Sequence, residues 1–357
     1  MQFPQLKIGD LVARIPIVQG GMGVGISLSG LASAVAKEGG VGVIAAAMIG
    51  MGEPDIGSNY REANIRALRN ELRKARGKTE GILGVNIMVA LNNFSDMVRT
   101  SIKEGADVIF AGAGLPLDLP GYLDGAKTKL VPIISSARAA KIICKKWSSR
   151  FDYLPDAFVV EGPKAGGHLG YKPDQIDDPE FALEKTVPEV VAAVREFEEV
   201  SGKQIPVIAA GGIYDGRDIA KYIELGASGV QMGTRFVATH ECDADIGFKE
   251  AYVNARAEDI KIIKSPVGLP GRAVDSPFLQ DVSDGKRKPF KCPFHCISTC
   301  DHTKSPYCIG MALVNAKKGK LKHGFAFAGA NAHRINAITS VKELIDSLKK
   351  GFEESYA

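Results

Sequence analysis

Four cysteines crowd into one short stretch, Cys292, Cys296, Cys300 and Cys308 in CPFHCISTCDHTKSPYC. Thiolates at this density favour a shared metal, because soft sulfur ligands and a common cation stabilise charges that otherwise repel. Structural zinc usually takes paired Cys-x2-4-Cys knuckles set apart by a longer spacer. Here the gaps are three, three and seven residues, nearer an iron–sulfur ligand run though not a standard ferredoxin spacing. The expectation is a [4Fe-4S] cluster, with zinc, or free or bridged thiols, as the alternatives. Lys288 and Lys291 stand near enough in sequence to offset an anionic site. Cys144 and Cys242 stand apart and read as ordinary buried thiols.

A second chemistry sits in IPVIAAGGIYDGRDIAKYIELGASGVQMGTRFVATHE, residues 205–241. Two short apolar runs, 206–209 and 229–232, have the length and branched content of buried parallel strands. Gly211-Gly212 follows the first and Gly233-Thr234 the second, and Asp215 is placed to cap a helix with Ile219, Tyr222, Ile223 and Leu225 on its buried face. Two glycine turns aiming free amides at one point, with helix N-termini behind them, make an anion site. The plainer alternative is two βα turns that needed glycine for positive φ. In a (β/α)8 barrel the phosphate site lies in this position, after strands seven and eight. A third candidate is His168, at the end of EGPKAGGH, where the preceding glycines let a loop approach a ligand closely.

These residues need elements to hold them. Apolar runs at 15–18, 41–44, 82–85, 107–110, 130–134 and 157–160 precede the two already named, each ending in a polar or glycine-rich turn. Amphipathic helices are expected from Ser27 or Ser29 to Lys37, then over 60–76, 95–104, 136–147 and 188–200. Glu71 is placed to pair with charged neighbours one turn away. Alternation of eight strands with helices calls for a parallel sheet with right-handed crossovers, and eight strands close a barrel. The expected fold is therefore α/β, a (β/α)8 TIM barrel, with a doubly wound open sheet as the alternative. The carboxyl ends of the strands then bring Gln19, Gly20, Asn86, Ser135, His168, Gly211 and Gly233 to one mouth.

After Glu241 the periodicity fades. The chain divides into a barrel over 1–257, an irregular Cys-rich extension over the mouth at 258–325, and a closing segment and helix at 326–357. Hydrophobic content of 45% and charged content of 24% describe an ordinary globular chain. A net charge of +4 on 357 residues argues against a nucleic-acid partner. No apolar run approaches the ~20 residues of a membrane helix. The start, MQFPQLKIGDLV, has no charged-then-apolar signal pattern, so the expected location is cytoplasmic, with reduced cysteines.

Taken together, IPIVQGGMG, GVN, EGPKAGGHLG and AAGGIYDGRDIAKYIELGASGVQMGTRF resemble the nitronate monooxygenase family. That family was formerly called 2-nitropropane dioxygenase and includes flavin-dependent enoyl-ACP reductases. The resemblance covers 1–241, with weaker matches at Pro266-Val267-Gly268-Leu269-Pro270-Gly271-Arg272 and Ala328-Gly329. It implies a barrel that binds FMN. Gly20, Gly21 and Met22 would lie along the isoalloxazine ring, with Gln19 and Asn86 at its polar edge. Gly211, Gly212, Gly233 and Thr234 would hold the phosphate. Ser135, Gly166 and Gly167 would border the cofactor, and His168 would stand over it, near the substrate. Two departures bear on substrate. Lys164 occupies a position where many relatives are acidic, and the fifth strand reads Val131-Pro132-Ile133-Ile134-Ser135, without the basic residue of some nitronate oxidisers.

The resemblance leaves three activities open. One is oxidation of alkyl nitronates with O2. Another is reduction of an activated double bond such as an enoyl thioester, with NADH or NADPH as electron donor. The third is a redox relay without turnover of a small molecule. Lys286-Arg287-Lys288 is a candidate dock for an acyl-carrier or electron-donor protein, against the plainer reading of solvated surface.

Overall fold

The computed structural model describes residues 2–287, 292 and 294–357. Eight parallel strands form one sheet: β1 (Ile17–Gln19), β2 (Gly42–Ala45), β3 (Leu83–Met88), β4 (Val108–Gly112), β5 (Lys129–Ile134), β6 (Phe158–Glu161), β7 (Val207–Ala210) and β8 (Gly229–Met232). Their order is β1-β8-β7-β6-β5-β4-β3-β2. The ring closes through the parallel bridge Val18↔Val41, where Gln19 N donates to Val41 O and Val41 N to Ile17 O, each at 2.9 Å. Closure settles the architecture as a barrel rather than an open doubly wound sheet.

Two apolar layers follow from the period-two geometry of the strands. Val18, Val43, Val108, Phe110, Val131, Val159 and Ile208 fill the interior. Their chain neighbours Ile17, Ile44, Ile109, Leu130, Phe158, Val160 and Val207 pack outward under the helices. The bottom is stoppered by a hairpin, Leu6–Ile8 with Leu11–Ala13, whose Leu6 and Ile8 join the interior cluster. The periodicity of so short a segment did not announce it.

The outer helices are α1 (Ser29–Lys37), α2 (Tyr60–Arg76), α3 (Phe94–Lys103), α4 (Ala137–Phe151), α5 (Leu183–Ser201) and α6 (Gly216–Glu224). Strand β4 departs from strict alternation. It is followed by a single 3-10 turn, Leu119–Tyr122, because Pro116, Pro120, Gly121 and Gly125 leave no run able to hold a helix. Trp147 of α4 secures that segment through Nε1 donating to Pro116 O at 3.0 Å. Helix α5 begins five residues before Pro188, since Leu183, Thr186 and Val187 are buried against the barrel and packing outweighs the lost amide. The closing helix, Val341–Glu354, lies on α6 so tightly that a Cβ at Gly216 would come within 2.1 Å of Phe352 N. Among the described residues no helix is long and apolar enough to cross a membrane.

Helix α1 lacks a cap of its own: neither Ser27 nor Ser29 supplies one. Asp243 does so from 212 to 215 residues away, accepting from the amides of Leu28, Gly30 and Leu31 at 2.8 to 3.1 Å. Glu71 Oε2 accepts from Ser29 N and its Oε1 pairs with Lys74. Loss of the carboxylate leaves several buried donors unsatisfied. Asp243→Ala should therefore cost about 2 kcal/mol, read as a lower midpoint of denaturant unfolding, whereas Lys74→Ala at the exposed end of this network should shift it little.

Candidate functional site at the barrel mouth

The interior side of each strand ends in a residue that faces the mouth. On β3 the inward positions are Gly84 and Asn86, on β6 Val159 and Glu161, and on β8 Gly229 and Gln231, because Val85, Val160 and Val230 belong to the outer layer. Asn86, Glu161 and Gln231 all line a cavity of about 500 Å³ at the carboxyl ends of the strands. Ser135, Gly20, Gly21, Met22, Gly166, Gly167, His168, Gly211, Gly212, Gly233 and Thr234 line the same cavity, so eleven further predicted or bordering positions converge there.

Gln19 is the exception. It shares the outward parity of Ile17 and is wholly buried, its Nε2 donating to Gly20 O at 2.6 Å and its Oε1 accepting from Val43 N at 2.9 Å. Both ends of the carboxamide are committed, the oxygen tying β1 to β2, and Gln19 is not among the lining residues. Asn86 has no side-chain partner among the described residues, and its Cβ is why position 21 is glycine: a Cβ at Gly21 would lie 2.2 Å from it.

The two glycine turns lie side by side in the cavity wall, each following one of the paired strands β7 and β8. Gly211 and Gly212 have φ of +99° and +83°, which excludes most side chains. Among the described residues, no protein acceptor takes the amides of Gly211, Gly212, Gly233 or Thr234. The helix contribution is smaller than the sequence suggests. Asp215 fills the start of α6 with its own capping box, accepting from Arg217 and Asp218 amides, and the helix after β8, Thr234–Val237, is one turn long. The donors are therefore individual turn amides. Arg235 adds a cation the sequence reading did not single out. Its Nη1 donates to Tyr214 Oη at 3.1 Å, while its buried Nε has no partner among the described residues. An orphaned guanidinium donor beside unpaired amides fits a phosphate.

His168 is carried on a two-residue strand, Gly167–His168, paired antiparallel with Pro270–Val274, which in turn pairs with Ile260–Lys264. Gly167 needs its positive φ of +83° for that turn, with open space where a Cβ would be. Arg272 clamps the loop from below, its Nη1 donating to Pro163 O and Ala165 O at 2.5 and 2.8 Å. A Cβ at Gly166 would meet the Ala328–Gly329 peptide at 2.6 Å, so that side of the loop is closed as well. The His168 ring lies edge-on to Phe327, 5.0 Å between centroids, with Nε2 2.7 Å from Ser265 Oγ. Burial drives its pKa down to about 4, so the imidazole is neutral at neutral pH. At the end of β6, burial pushes the Glu161 carboxyl up to about 7. Counting strand parity from Val159 could have found Glu161, and from the outward Val230, Gln231. Lys164 is exposed and outside the cavity lining, and the β5 wall is apolar, with Ile133 and Ile134.

The cysteines lie elsewhere on the mouth. Cys292, Cys296, Cys300 and Cys308 line a separate cavity of about 260 Å³, and none of the six cysteines is in a disulfide. Among the described residues, no three Cys, His, Asp or Glu side chains are arranged to hold a metal ion. Cys144 and Cys242 are buried singly, with burial raising their thiols to about 12 and about 11. Of the basic run, Lys286 pairs with Asp284 and Asp281, and Arg287 pairs with Asp281 and covers the Phe278 ring. Lys288 and Lys291 lie outside the described residues.

Known proteins agree with this arrangement. Residues 5–351 match the family described as nitronate monooxygenase. A Mycobacterium tuberculosis protein named (3aS,4S,5R,7aS)-5-hydroxy-7a-methyl-1-oxo-octahydro-1H-indene-4-carboxyl-CoA dehydrogenase is 30% identical over 76% of this chain, and the chain spans 66% of its length. A probable nitronate monooxygenase of Staphylococcus aureus (strain Newman) is 29% identical, over 76% of this chain and 79% of its own. Among solved structures, FabK from Thermotoga maritima superposes with a TM-score of 0.74 at 30% identity, covering 96% of this chain and 94% of that one. With nearly its whole length matched and its barrel mouth built in this way, the chain belongs to the nitronate monooxygenase family.

Proposed function

We propose that the protein is an FMN-dependent oxidoreductase of the nitronate monooxygenase type, oxidising alkyl nitronates with O2. The observation that carries this reading is the make-up of the 500 Å³ cavity: unpaired turn amides and the Arg235 Nε share its wall with an imidazole and a carboxyl. The amides and the guanidinium suit the flavin phosphate, and Gly20, Gly21 and Met22 offer a flat, close wall for the ring. Bound FMN supplies the two-electron chemistry; the chain binds it, excludes water and handles protons.

Two titratable residues of the cavity take different roles. His168, neutral and beside Ser265 and Phe327, is a hydrogen-bonding contact for an already ionised nitronate, which needs no strong base. Glu161 is poised near neutrality and is the group suited to taking up or releasing a proton. A second reading is reduction of an activated double bond with NADH or NADPH as donor. The likeness to FabK favours it, as does the apolar wall of Leu269, Ile297, Ile309 and Leu313 toward the extension. The pairing of Lys286 and Arg287 with acids makes a carrier-protein dock on that run the weaker part of this reading.

Anaerobic assays separate the readings. Oxygen-dependent turnover of propyl nitronate supports the first, and crotonyl-thioester reduction with NADH or NADPH supports the second. A purified protein without flavin absorbance sinks both. Gly212→Val places a side chain at positive φ and against Lys164 Cβ, where the clearance is 2.8 Å, and should give colourless protein. His168→Ala should stay yellow while turnover falls about 10–10²-fold, the loss of one hydrogen bond to a charged group; loss of flavin with unchanged activity per remaining flavin would reassign it to cofactor binding. The Glu161 carboxyl ionises as pH rises through about 7. As a base drawing a proton from substrate it gives a rate that climbs through that pH, and as an acid delivering one to a double bond it gives a rate that falls. In Glu161→Gln that limb of the pH–rate profile should vanish, and its persistence would exclude Glu161 from either role.

A further inference from the structure

The second cavity has no part in the flavin reading, yet it is built with unusual care. Its wall holds all four clustered cysteines, together with Asn92, His295, His302 and Tyr307. The segment carrying them is docked on the β3–α3 connection by backbone pairing: Leu91 bridges Ile297, Asn92 N donates to Cys296 O at 3.1 Å, and Ser298 N donates to Ala90 O at 2.9 Å. Cys308 comes from a different element, directly ahead of the helix Ile309–Lys317. Two separately anchored pieces of chain thus present their thiols to one chamber.

The chamber's size discriminates between guests. A tetrahedral zinc holds its sulfurs about 2.3 Å away, hence roughly 3.8 Å from one another. Such convergence is not found among the described residues, and the four thiols stand instead in the wall of a chamber of about 260 Å³. A cubane cluster spreads its four cysteines wider, because each thiolate binds a different iron. The surrounding polar groups are also incomplete. Tyr307 lines the chamber, Tyr60 packs in the apolar cluster with Cys296, and both hydroxyls are buried without a partner among the described residues. Buried hydroxyls left unpaired are costly, and inorganic sulfide and thiolate sulfur are acceptors that would satisfy them.

We infer that Cys292, Cys296, Cys300 and Cys308 ligate a [4Fe-4S] cluster in this chamber. Ile297 and Ile309 belong to the walls of both cavities, so the cluster sits one side-chain layer from the space assigned to the flavin. Its redox use rests on the flavin reading. Two single electrons from the reduced cluster, with one proton from solvent, convert oxidised FMN to its reduced anion, and a low-potential one-electron carrier protein replenishes the cluster. This source of electrons would serve reduction of a substrate without nicotinamide.

The test is metal and sulfide analysis of the intact chain prepared without air, before and after reconstitution with ferrous ion and sulfide. The expected result is roughly four irons and four sulfides per chain, a broad brown absorbance beneath the flavin bands, and a paramagnetic signal on dithionite reduction. Cys296→Ser and Cys300→Ser should each lose most of the iron while keeping flavin content and circular dichroism; because the spectra of the unaltered protein are read first, a variant that fails to fold does not decide the matter. One zinc per chain, or no iron after reconstitution, would overturn the assignment. Yellow protein without iron sinks the cluster alone, and brown protein without flavin sinks the flavin reading alone.

Discussion

Closure of the eight-stranded ring is the constraint on which the molecule depends. A closed ladder leaves no sheet edge, and it gives every strand residue one of two destinations, the interior or the helix layer. Valines, Ile208 and Phe110 fill the inner set up to the last turn of each strand, and the Leu6–Ile8 hairpin fills the bottom. Polar side chains on the same parity are then admissible only at the open end, where a ligand or solvent can satisfy them. Asn86, Glu161 and Gln231 occupy those places. The elevated pKa of Glu161 has the same origin: it stands one step above the valine layer, where burial penalises its charge.

The barrel alone does not hold the histidine. The loop after β6 is pinned from the outside by elements far along the chain, through the Arg272 guanidinium beneath it, the Pro270–Val274 strand beside it and the Ala328–Gly329 peptide against Gly166. Phe327, directly ahead of that peptide, lies against the His168 ring and helps to bury it. The same contacts that position the imidazole therefore lower its pKa, and its neutral state follows from the way the extension is tied down. A barrel without that extension would leave His168 wetter, more mobile and more basic.

What the sequence made legible was local. Branched runs, glycine turns and the Asp215 capping box are written in adjacent residues, and the strands and the Gly211-Gly212 and Gly233-Thr234 turns stand where they were expected. The missing helix after β4 was written locally too, in Pro116 and Pro120, and the alternation of strands obscured it. Asp243 capping α1, Arg272 clamping the His168 loop and Arg235 bonding Tyr214 each depend on partners brought together only by the fold. Gln19 shows how resemblance and geometry can part. Its position borders the mouth in sequence, while one residue of strand parity turns its carboxamide into the wall, onto Gly20 and Val43.

The division of the cavity wall bears on substrate. One part of it is built from barrel loops, the turns after β1, β7 and β8, with Gly329 and Asn331 of the closing segment bonded to Thr234 and Gly212. Its outer end is built from Leu269, Ile297, Ile309, Leu313 and Phe327, all from the extension and the segment after it. These residues are apolar, so they select by shape and by exclusion of water, and a methylene more or less changes affinity by only about 1–3 kcal/mol. Substrate preference is then free to drift as the extension changes, with the chemistry held constant beneath it. In this chain the extension does more than shape that wall. Ile297 and Ile309, which face the cavity, are adjacent in sequence to Cys296 and Cys308. Any movement of the cysteine segment therefore moves the substrate wall, and occupation of one chamber and the shape of the other become a single mechanical problem.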